Sequence, residues 1–568
     1  MVDSDLLVII TDCGSTTTKA RAFRKGNDRW KYIGRGEAPT TVEEPVADVT
    51  IGVKNALLEL EEAIGHPLGS YKYLSTSSAG GGLQMIVMGG VKKISLQSAE
   101  RAALGAGAII LDSFSVDDPR DDHERISSIK HLKPDIVLIS GGTDGGANYF
   151  PLYNAEILRG ANPKPRFGDS LKVPVVYAGN TDIASEIDRL LQDICDVHLV
   201  GNVRSILERE NVEPARDAIH ELFLSHVMSH SPGYKKLMSM VHSPILPTPT
   251  AVGNIIKKYS ENHNKSCLCV DIGGATTDIF SMFRGKDQFV FNRTVSANFG
   301  MSYSIAYVLL EAGLQNVLRW LPVEVKEVRN RIRNKMIRPT TLPQAMDELW
   351  IEQAMCREAL RLSFDHHRSL AVSLSGITKR RTIGDLFKQE EEMLVDLMKL
   401  DCVIGSGGVI SHAPDRKFAA LMLLDGFALE GVTELFVDDS FLLPHLGVFA
   451  EINEEAAFEV LEFDCLKPIG TTVAPKFKAK DGTPLAQVFF NGSFVGEVIA
   501  GSLEFLKLSK SEGRLEVIPR STKVNVSGIP GEKVVKQVSS PDLYLDGRNR
   551  PLLKIGNETH KLMRELSC

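Results

Sequence analysis

Several things are scarce in this chain, and each scarcity removes a class of function. No apolar run among its 568 residues approaches the ~18 of a membrane-spanning helix. No long Lys/Arg tract occurs and the formal net charge is −7, so a polyanion partner gets no electrostatic support. The eight cysteines are scattered, with no C-x-x-C and no Cys/His cluster at zinc spacing. Neither a disulfide scaffold nor a structural zinc is expected. The start, Met1-Val-Asp-Ser-Asp-Leu6, lacks a basic region, and its apolar run is about half of a signal-peptide core. These absences predict a cytoplasmic protein with no membrane and no nucleic-acid partner. What remains is ordinary globular composition, 43% hydrophobic and 24% charged, in a chain long enough for two to four domains.

The informative stretch lies near the middle, Cys267-Leu-Cys-Val-Asp-Ile-Gly-Gly-Ala-Thr-Thr-Asp-Ile-Phe280. Cys267 to Val270 reads as a buried strand, Asp271 falls at its end, and Gly273, Gly274 and Ala275 make a turn of little side-chain bulk. Thr276 and Thr277 add hydroxyl donors, and Asp278 supplies a second carboxylate. Carboxylates beside N–H donors repel phosphate unless a divalent cation intervenes, which points to a magnesium–phosphate site. The N-terminus repeats the pattern. Leu6 to Thr11 is apolar, followed by Asp12, Cys13, Gly14, Ser15, Thr16 and Thr17, with Lys19 on a returning strand. Asp12 and Asp271 are 259 residues apart. A second pair of apolar strands ending in glycine turns, 135–146 and 401–409, has a similar offset of 265 from Gly142 to Gly407. Two matched pairs in the same order predict a duplicated α/β domain. Isolated, Asp12 or Asp271 would pass for a turn-capping carboxylate; the matched contexts argue otherwise.

The Asp12, Asp271–Asp278 and Gly405–Gly408 segments resemble the two phosphate motifs and the adenosine motif of the actin, Hsp70 and sugar-kinase ATPase superfamily. Within it the chain resembles the glutamate mutase accessory protein family (GlmL/MutL). Ser75–Leu83, Arg101–Gly107, 135–146, Val176–Asn180, Pro247–Ala251, Asp464–Gly470 and Leu545–Leu552 carry that likeness almost end to end. The resemblance implies two actin-like (RNase H-like) lobes clamping ATP between facing phosphate hairpins. After Leu446 the chain turns to short β-type runs broken by Asp-Gly and Asn-Gly pairs at 481–482, 491–492 and 546–547, which predicts a small C-terminal β-rich module. The expected division is 1–250 and 251–445 for the lobes and 446–568 for the module. Asp12 would hold Mg²⁺ through water, with Gly14, Ser15, Thr16 and Thr17 on the β- and γ-phosphates. Asp271 would position the attacking water or the metal, and Asp278 would help hold the hydrated ion. Gly273, Gly274 and Thr276 would cradle phosphate oxygens, and Gly405, Gly407 and Gly408 would admit adenosine. Lys19 either reaches a phosphate or points elsewhere along its strand. Ala275 replaces a glycine frequent in Hsp70-like proteins and is tolerable if its φ is negative.

The family likeness further implies an ATPase that serves, and reactivates, an adenosylcobalamin-dependent mutase, with mutase subunits as partners. A small-molecule kinase and an iron–sulfur ATPase that activates a dehydratase are the alternatives; the scattered cysteines count against the latter. Elsewhere, Ser113–Ile126 reads as an acidic surface loop. His226 and His230 share a helix face without the Glu of H-E-x-x-H, and read as structural. His366 and His367 suit a helix C-terminus as cations. The Ser75–Gly82 loop and the 141–146 turn are each open to a cleft-lining or a connecting role.

Overall fold

The computed structural model describes residues 7–42, 45–78, 83–166, 171–207, 209–228, 231–285, 288–302, 304–321, 328–339, 341–373 and 392–552. They form two compact units. The first is 1–251 with 293–297 and 370–393, and the second is 252–292, 298–369 and 394–568.

In the first unit, β1 (Leu7–Cys13), β2 (Thr17–Lys25) and β3 (Trp30–Pro39) form an antiparallel meander. Every residue of β1 is buried, as its unbroken apolar run requires of a central strand. The helix Val49–Ile64 covers this sheet. Asp48 caps its start through the Thr50 N–H, and Gly65 ends it at φ 82°, the left-handed cap that glycine adopts without strain. Next, β4 (Lys72–Ser77) pairs parallel with β1.

The chain then leaves for a second sheet. β5 (Leu83–Met88), β6 (Ala108–Phe114), β7 (Ile136–Ile139), β8 (Val173–Tyr177) and β9 (Cys195–Leu199) are all parallel, in the order β6-β5-β7-β8-β9. β7 and β8 are buried throughout, as strands covered on both faces must be. One of the flanking helices, Asp122–Leu132, starts with a capping box between Asp121 and Glu124. The acidic stretch read as a surface loop therefore contains a helix start: its carboxylates satisfy first-turn N–H groups. β10 (Leu246–Pro247) returns to the first sheet, completing the order β10-β4-β1-β2-β3.

The second unit holds an eight-stranded sheet. It contains β11 (Cys267–Ile272), β12 (Thr276–Arg284) and the start of β13 (Phe289–Ala297), whose residues 293–297 are counted with the first unit. The ribbon of β14 (Val372–Ser373) and β15 (Glu392–Met393) belongs to the first unit. β16 (Cys402–Ser406), β17 (Gly431–Asp438) and β18 (Leu466–Ala474) continue the sheet. β19 (Pro484–Phe490), β20 (Ser493–Ile499), β22 (Gly513–Pro519) and β23 (Val534–Val538) form their own sheet. β21 (Leu503–Lys507) and β24 (Asp542–Asp546) rejoin the large one, in the order β13-β12-β11-β16-β17-β18-β24-β21. The β-rich C-terminal run is therefore stitched to the strands before it, and Val432 of β17 shares a core with Leu485, Val517 and Leu545.

The order β3-β2-β1-β4-β10 recurs as β13-β12-β11-β16-β17, with β1–β4 and β11–β16 both parallel. The duplication is thus written in the strands, and it corrects one sequence pairing. The counterpart of β16 is β4, whereas β7 and its 135–146 turn belong to the inserted parallel sheet. Their offset of 265 is coincidental, because any buried parallel strand before a tight turn gives the same apolar-then-glycine signal.

Burial also overturns the cationic reading of the paired histidines at the end of the helix Met346–Leu370. His367 is fully buried 2.7 Å from Ser281 Oγ, and desolvation pushes its pKa down to about 3. Desolvation likewise lowers His366, so both rings are neutral near pH 7. His226 is only partly buried, and His230 lies outside the described residues, so that pair is left there.

Candidate functional site

The first hairpin is built by β1 and β2. The Gly14 N–H donates to Thr17 O at 3.1 Å and closes a tight turn with Ser15 in solvent. A Cβ on Gly14 would lie 2.8 Å from that oxygen, so crowding excludes any side chain there. Asp12 stands opposite Lys19 on β2 and beside Thr76 on β4. Its Oδ1 accepts hydrogen bonds from Thr76 Oγ1 at 2.9 Å and from Thr248 Oγ1 at 2.7 Å. Two hydroxyl donors on one oxygen fix the plane of this buried carboxylate. Thr40 Oγ1 donates to Gly14 O at 2.8 Å, and the Thr40 N–H to Thr16 O at 3.0 Å, tying the turn to the end of β3. Burial, and then the Asp12 charge, push the neighbouring Cys13 thiol up to about 12. Cys13 is a protonated packing group and no nucleophile.

The second hairpin repeats this geometry with different chemistry. The Gly273 N–H donates to Thr276 O at 2.9 Å, and Asp271 pairs directly with Asp278 across β11 and β12. Asp12, Gly14, Thr17 and Lys19 thus correspond in register to Asp271, Gly273, Thr276 and Asp278. Where the first hairpin opposes its carboxylate with an ammonium, the second opposes it with another carboxylate. Like charges directly across a ladder are unfavourable, and a divalent cation would relieve them. Among the described residues, no group of three or more His, Cys, Asp or Glu is gathered for a metal. Two carboxylates, with water and phosphate oxygens completing the shell, suit magnesium. The donor set fits that ion.

Phe299, Met301, Ser302 and Ser304 brace the loop. The Met301 and Ser302 N–H groups donate to Gly273 O and Gly274 O, each at 2.9 Å. Thr277 Oγ1 donates to Phe299 O at 2.6 Å, and Ser304 Oγ to Ala275 O. Ala275 is absent from the positive-φ residues, so its side chain brings no backbone strain.

Beside this hairpin, Val270 pairs with Gly405 and Asp271 with Ser406. Gly407 has φ 108°, and a Cβ there would lie 2.2 Å from Ile272 O, so the turn leaving β16 presses on the end of β11. Gly405 is buried against Ile410 and Leu423, whereas Gly408 is exposed with open space around it. Ser406 Oγ donates to Asp438 Oδ2 at 3.3 Å. Asp438, fully buried at the end of β17, also accepts the Leu442 and Leu443 N–H groups at 2.9 and 3.0 Å. A polar row of Asp278, Asp271, Ser406 and Asp438 therefore crosses four neighbouring strands.

Sequence reasoning missed Thr76, Thr248, Ser406 and Asp438. Thr76 lay in a segment read as a loop and Thr248 in one noted only for its family likeness, and a hydroxyl there carries no signal until the fold brings it to Asp12. Asp438 follows an apolar strand with no glycine turn after it. Its only signal was a carboxylate at a strand end. The seven cysteines among the described residues are all buried.

A twice-repeated sheet with a glycine-turned hairpin in the same place in each copy defines the class, a duplicated α/β protein of the actin-like fold. The family model described as MutL protein matches residues 8–465, and the chain belongs to that family. Protein MutL of Clostridium tetanomorphum is 28% identical over 479 residues, spanning 80% of this chain and 98% of its own length. Gluconate kinase from Lactobacillus acidophilus is 10% identical, covering 82% of this chain and 93% of its own, with a TM-score of 0.30. Component A of (R)-2-hydroxyglutaryl-CoA dehydratase from Acidaminococcus fermentans is also 10% identical, covering 80% and 97%, at a TM-score of 0.25. No described helix is long and apolar enough to cross a membrane.

Proposed function

We propose that the chain is an ATP-binding and ATP-hydrolysing accessory factor for an adenosylcobalamin-dependent mutase, glutamate mutase or a related aminomutase. The observation that carries the ATP reading is the in-register Asp271–Asp278 pair beside a glycine turn, mirrored by Asp12 in a hairpin of the same geometry. The mutase client rests on membership of the MutL family and on the relative that matches across 98% of its length.

Asp271 and Asp278 would hold magnesium, with Asp12 engaging it through water; when bound, the ion would neutralise the charge developing on the phosphates. Gly14, Ser15, Thr16, Thr17, Gly273, Gly274 and Thr276 present turn N–H groups or hydroxyls for phosphate oxygens. Asp271 orients the attacking water, and Lys19, opposite Asp12, adds positive charge at the first turn. Gly405, Gly407 and Gly408 form the nucleoside side. The functional division is 1–250, 251–445 and a C-terminal accessory module, 446–568. The workplace is the cytoplasm, with mutase subunits as partners and neither membrane nor nucleic acid involved.

Hydrolysis serves the client if the ATP and ADP forms bind it unequally. Moving a partner from 1:99 to 99:1 takes about 5.5 kcal/mol of differential affinity. The test is calorimetry with MgATP, followed by ATP-dependent recovery of a mutase inactivated by turnover. Heat of binding together with recovered activity is expected. Absence of heat would sink the nucleotide reading; heat without recovery would sink the client alone.

A further inference from the structure

We propose that Thr76 and Thr248 are positioning residues, which fix Asp12 so that its Oδ2 alone is left to accept from the water shell of a nucleotide-bound divalent cation, a role that rests on the nucleotide reading of the first hairpin. Three neighbouring strands deliver these side chains. Thr76 lies in register with Asp12 where β4 pairs with β1, and Leu246 and Pro247 of β10 lie in register with Thr76 and Ser77. Thr248 follows at once, as the first residue of the helix Thr248–His263. Asp12, Thr76 and Thr248 are 5%, 0% and 7% exposed, so water competes poorly for the bonds between them.

The way a buried carboxylate fills its acceptor sites separates a structural role from a ligand's. A carboxylate offers about four such sites. Asp438, in the second unit, is filled on both oxygens. Its Oδ1 accepts from the Leu442 N–H and Cys465 Sγ, and its Oδ2 from the Leu443 N–H and Ser406 Oγ. Asp12 differs. Thr76 Oγ1 and Thr248 Oγ1 both donate to Oδ1, and among the described residues no hydrogen-bond donor reaches Oδ2. The strand positions correspond in the two copies, with Ser406 in register with Asp271 as Thr76 is with Asp12. Yet the single Ser406 hydroxyl proton goes to Asp438, whereas the Thr76 proton goes to the hairpin carboxylate. A carboxylate anchored through one oxygen presents the other in a fixed direction, which is how outer partners orient a metal's ligands.

The test is calorimetry of the full chain with ADP, in excess Mg²⁺ and again in EDTA, alongside thermal melting. The natural chain should bind ADP more tightly with Mg²⁺. Thr248→Val and Thr76→Val remove a hydroxyl and keep the branched shape. Each should lower the Mg²⁺-supported affinity about tenfold and leave the EDTA value unchanged, and Thr248→Ser and Thr76→Ser should restore it. On an Asp12→Asn background Thr248→Val should have no further effect, because the hydroxyl acts through the carboxylate. Where Thr76→Val does not fold, Thr248→Val decides. A lowered melting temperature with unchanged magnesium dependence marks a structural role and overturns the proposal, as does a further loss on the Asp12→Asn background. A natural chain that binds no ADP sinks the nucleotide reading and the proposal with it; ADP binding indifferent to magnesium, or to both threonines, sinks the proposal alone.

Discussion

Asp271 and Asp278 are the side chains whose removal should separate chemistry from folding. Changing either to Asn removes one charge from a repelling pair, so the fold should hold while nucleotide chemistry fails. Phosphate release from ATP is expected to fall about a hundredfold or more in each variant, with an unchanged melting temperature; a variant retaining most of its activity would remove that residue from the site. Gly407 behaves differently. At φ 108° with Ile272 O only 2.2 Å from a would-be Cβ, Gly407→Ala should destabilise the chain by about 1–3 kcal/mol, measured by urea unfolding. The residue types at these positions were legible in the sequence because strand-end carboxylates and glycine turns sit side by side along the chain. The reason for Gly407 was not, since its obstacle lies on β11.

At the scale of an element, the helix Val49–Ile64 illustrates how a local cap becomes a pH-dependent term. The Lys236 ammonium, then the Thr50 hydroxyl, hold the Asp48 carboxyl down to about 2. A depressed folded pKa contributes stability that is present above the unfolded value of ~3.9 and lost as pH falls through the folded one. Asp48→Ala should therefore cost about 1 kcal/mol near neutrality, and the gap between variant and natural chain should close as pH drops from about 5 to about 2. Chemical unfolding across that range checks both the size and the sign. Asp48 lies one residue before a strongly periodic helix, so the cap was readable locally; Lys236, 188 residues away, was not. The 135–146 turn shows the opposite case. Its sequence resembles that of β16 and its turn, yet strand pairing puts it in another sheet.

At the scale of the molecule, the C-terminal run is held by a buried charge network. Asp425 accepts from Arg357 Nε and Arg548 Nη2, each at 2.8 Å, and Asp546 accepts from Arg548 Nε at 2.8 Å and Arg550 Nη2 at 2.7 Å. Burial opposes charge on Asp546, but Arg548 and Arg550 outweigh it and hold its carboxyl well below the usual carboxylate range. Asp425→Ala would strand the buried Arg357 guanidinium, while Arg548 keeps Asp546, and should cost about 3–5 kcal/mol, read from the shift in the unfolding midpoint. For the same reason a chain ending at residue 445 should fail to fold in solution. It would lose β18, which pairs with β17, and uncover the core around Val432. A soluble, cooperatively melting 1–445 fragment would show that the accessory module is dispensable for folding.

By itself the sequence determined what is local: apolar strands ending in carboxylates, glycine turns that leave no room for side chains, and a repeat of Asp12 at Asp271. Short-range spacing encodes such features because a hairpin is completed within a dozen residues. Only the tertiary structure decided that β4 is the twin of β16, that Thr76 and Thr248 converge on Asp12, and that Asp438 joins the row beside Asp271. It also decided that His367 is too deeply buried to be a cation. Those outcomes depend on which distant strands pair and what they exclude from water, and no spacing along the chain records that.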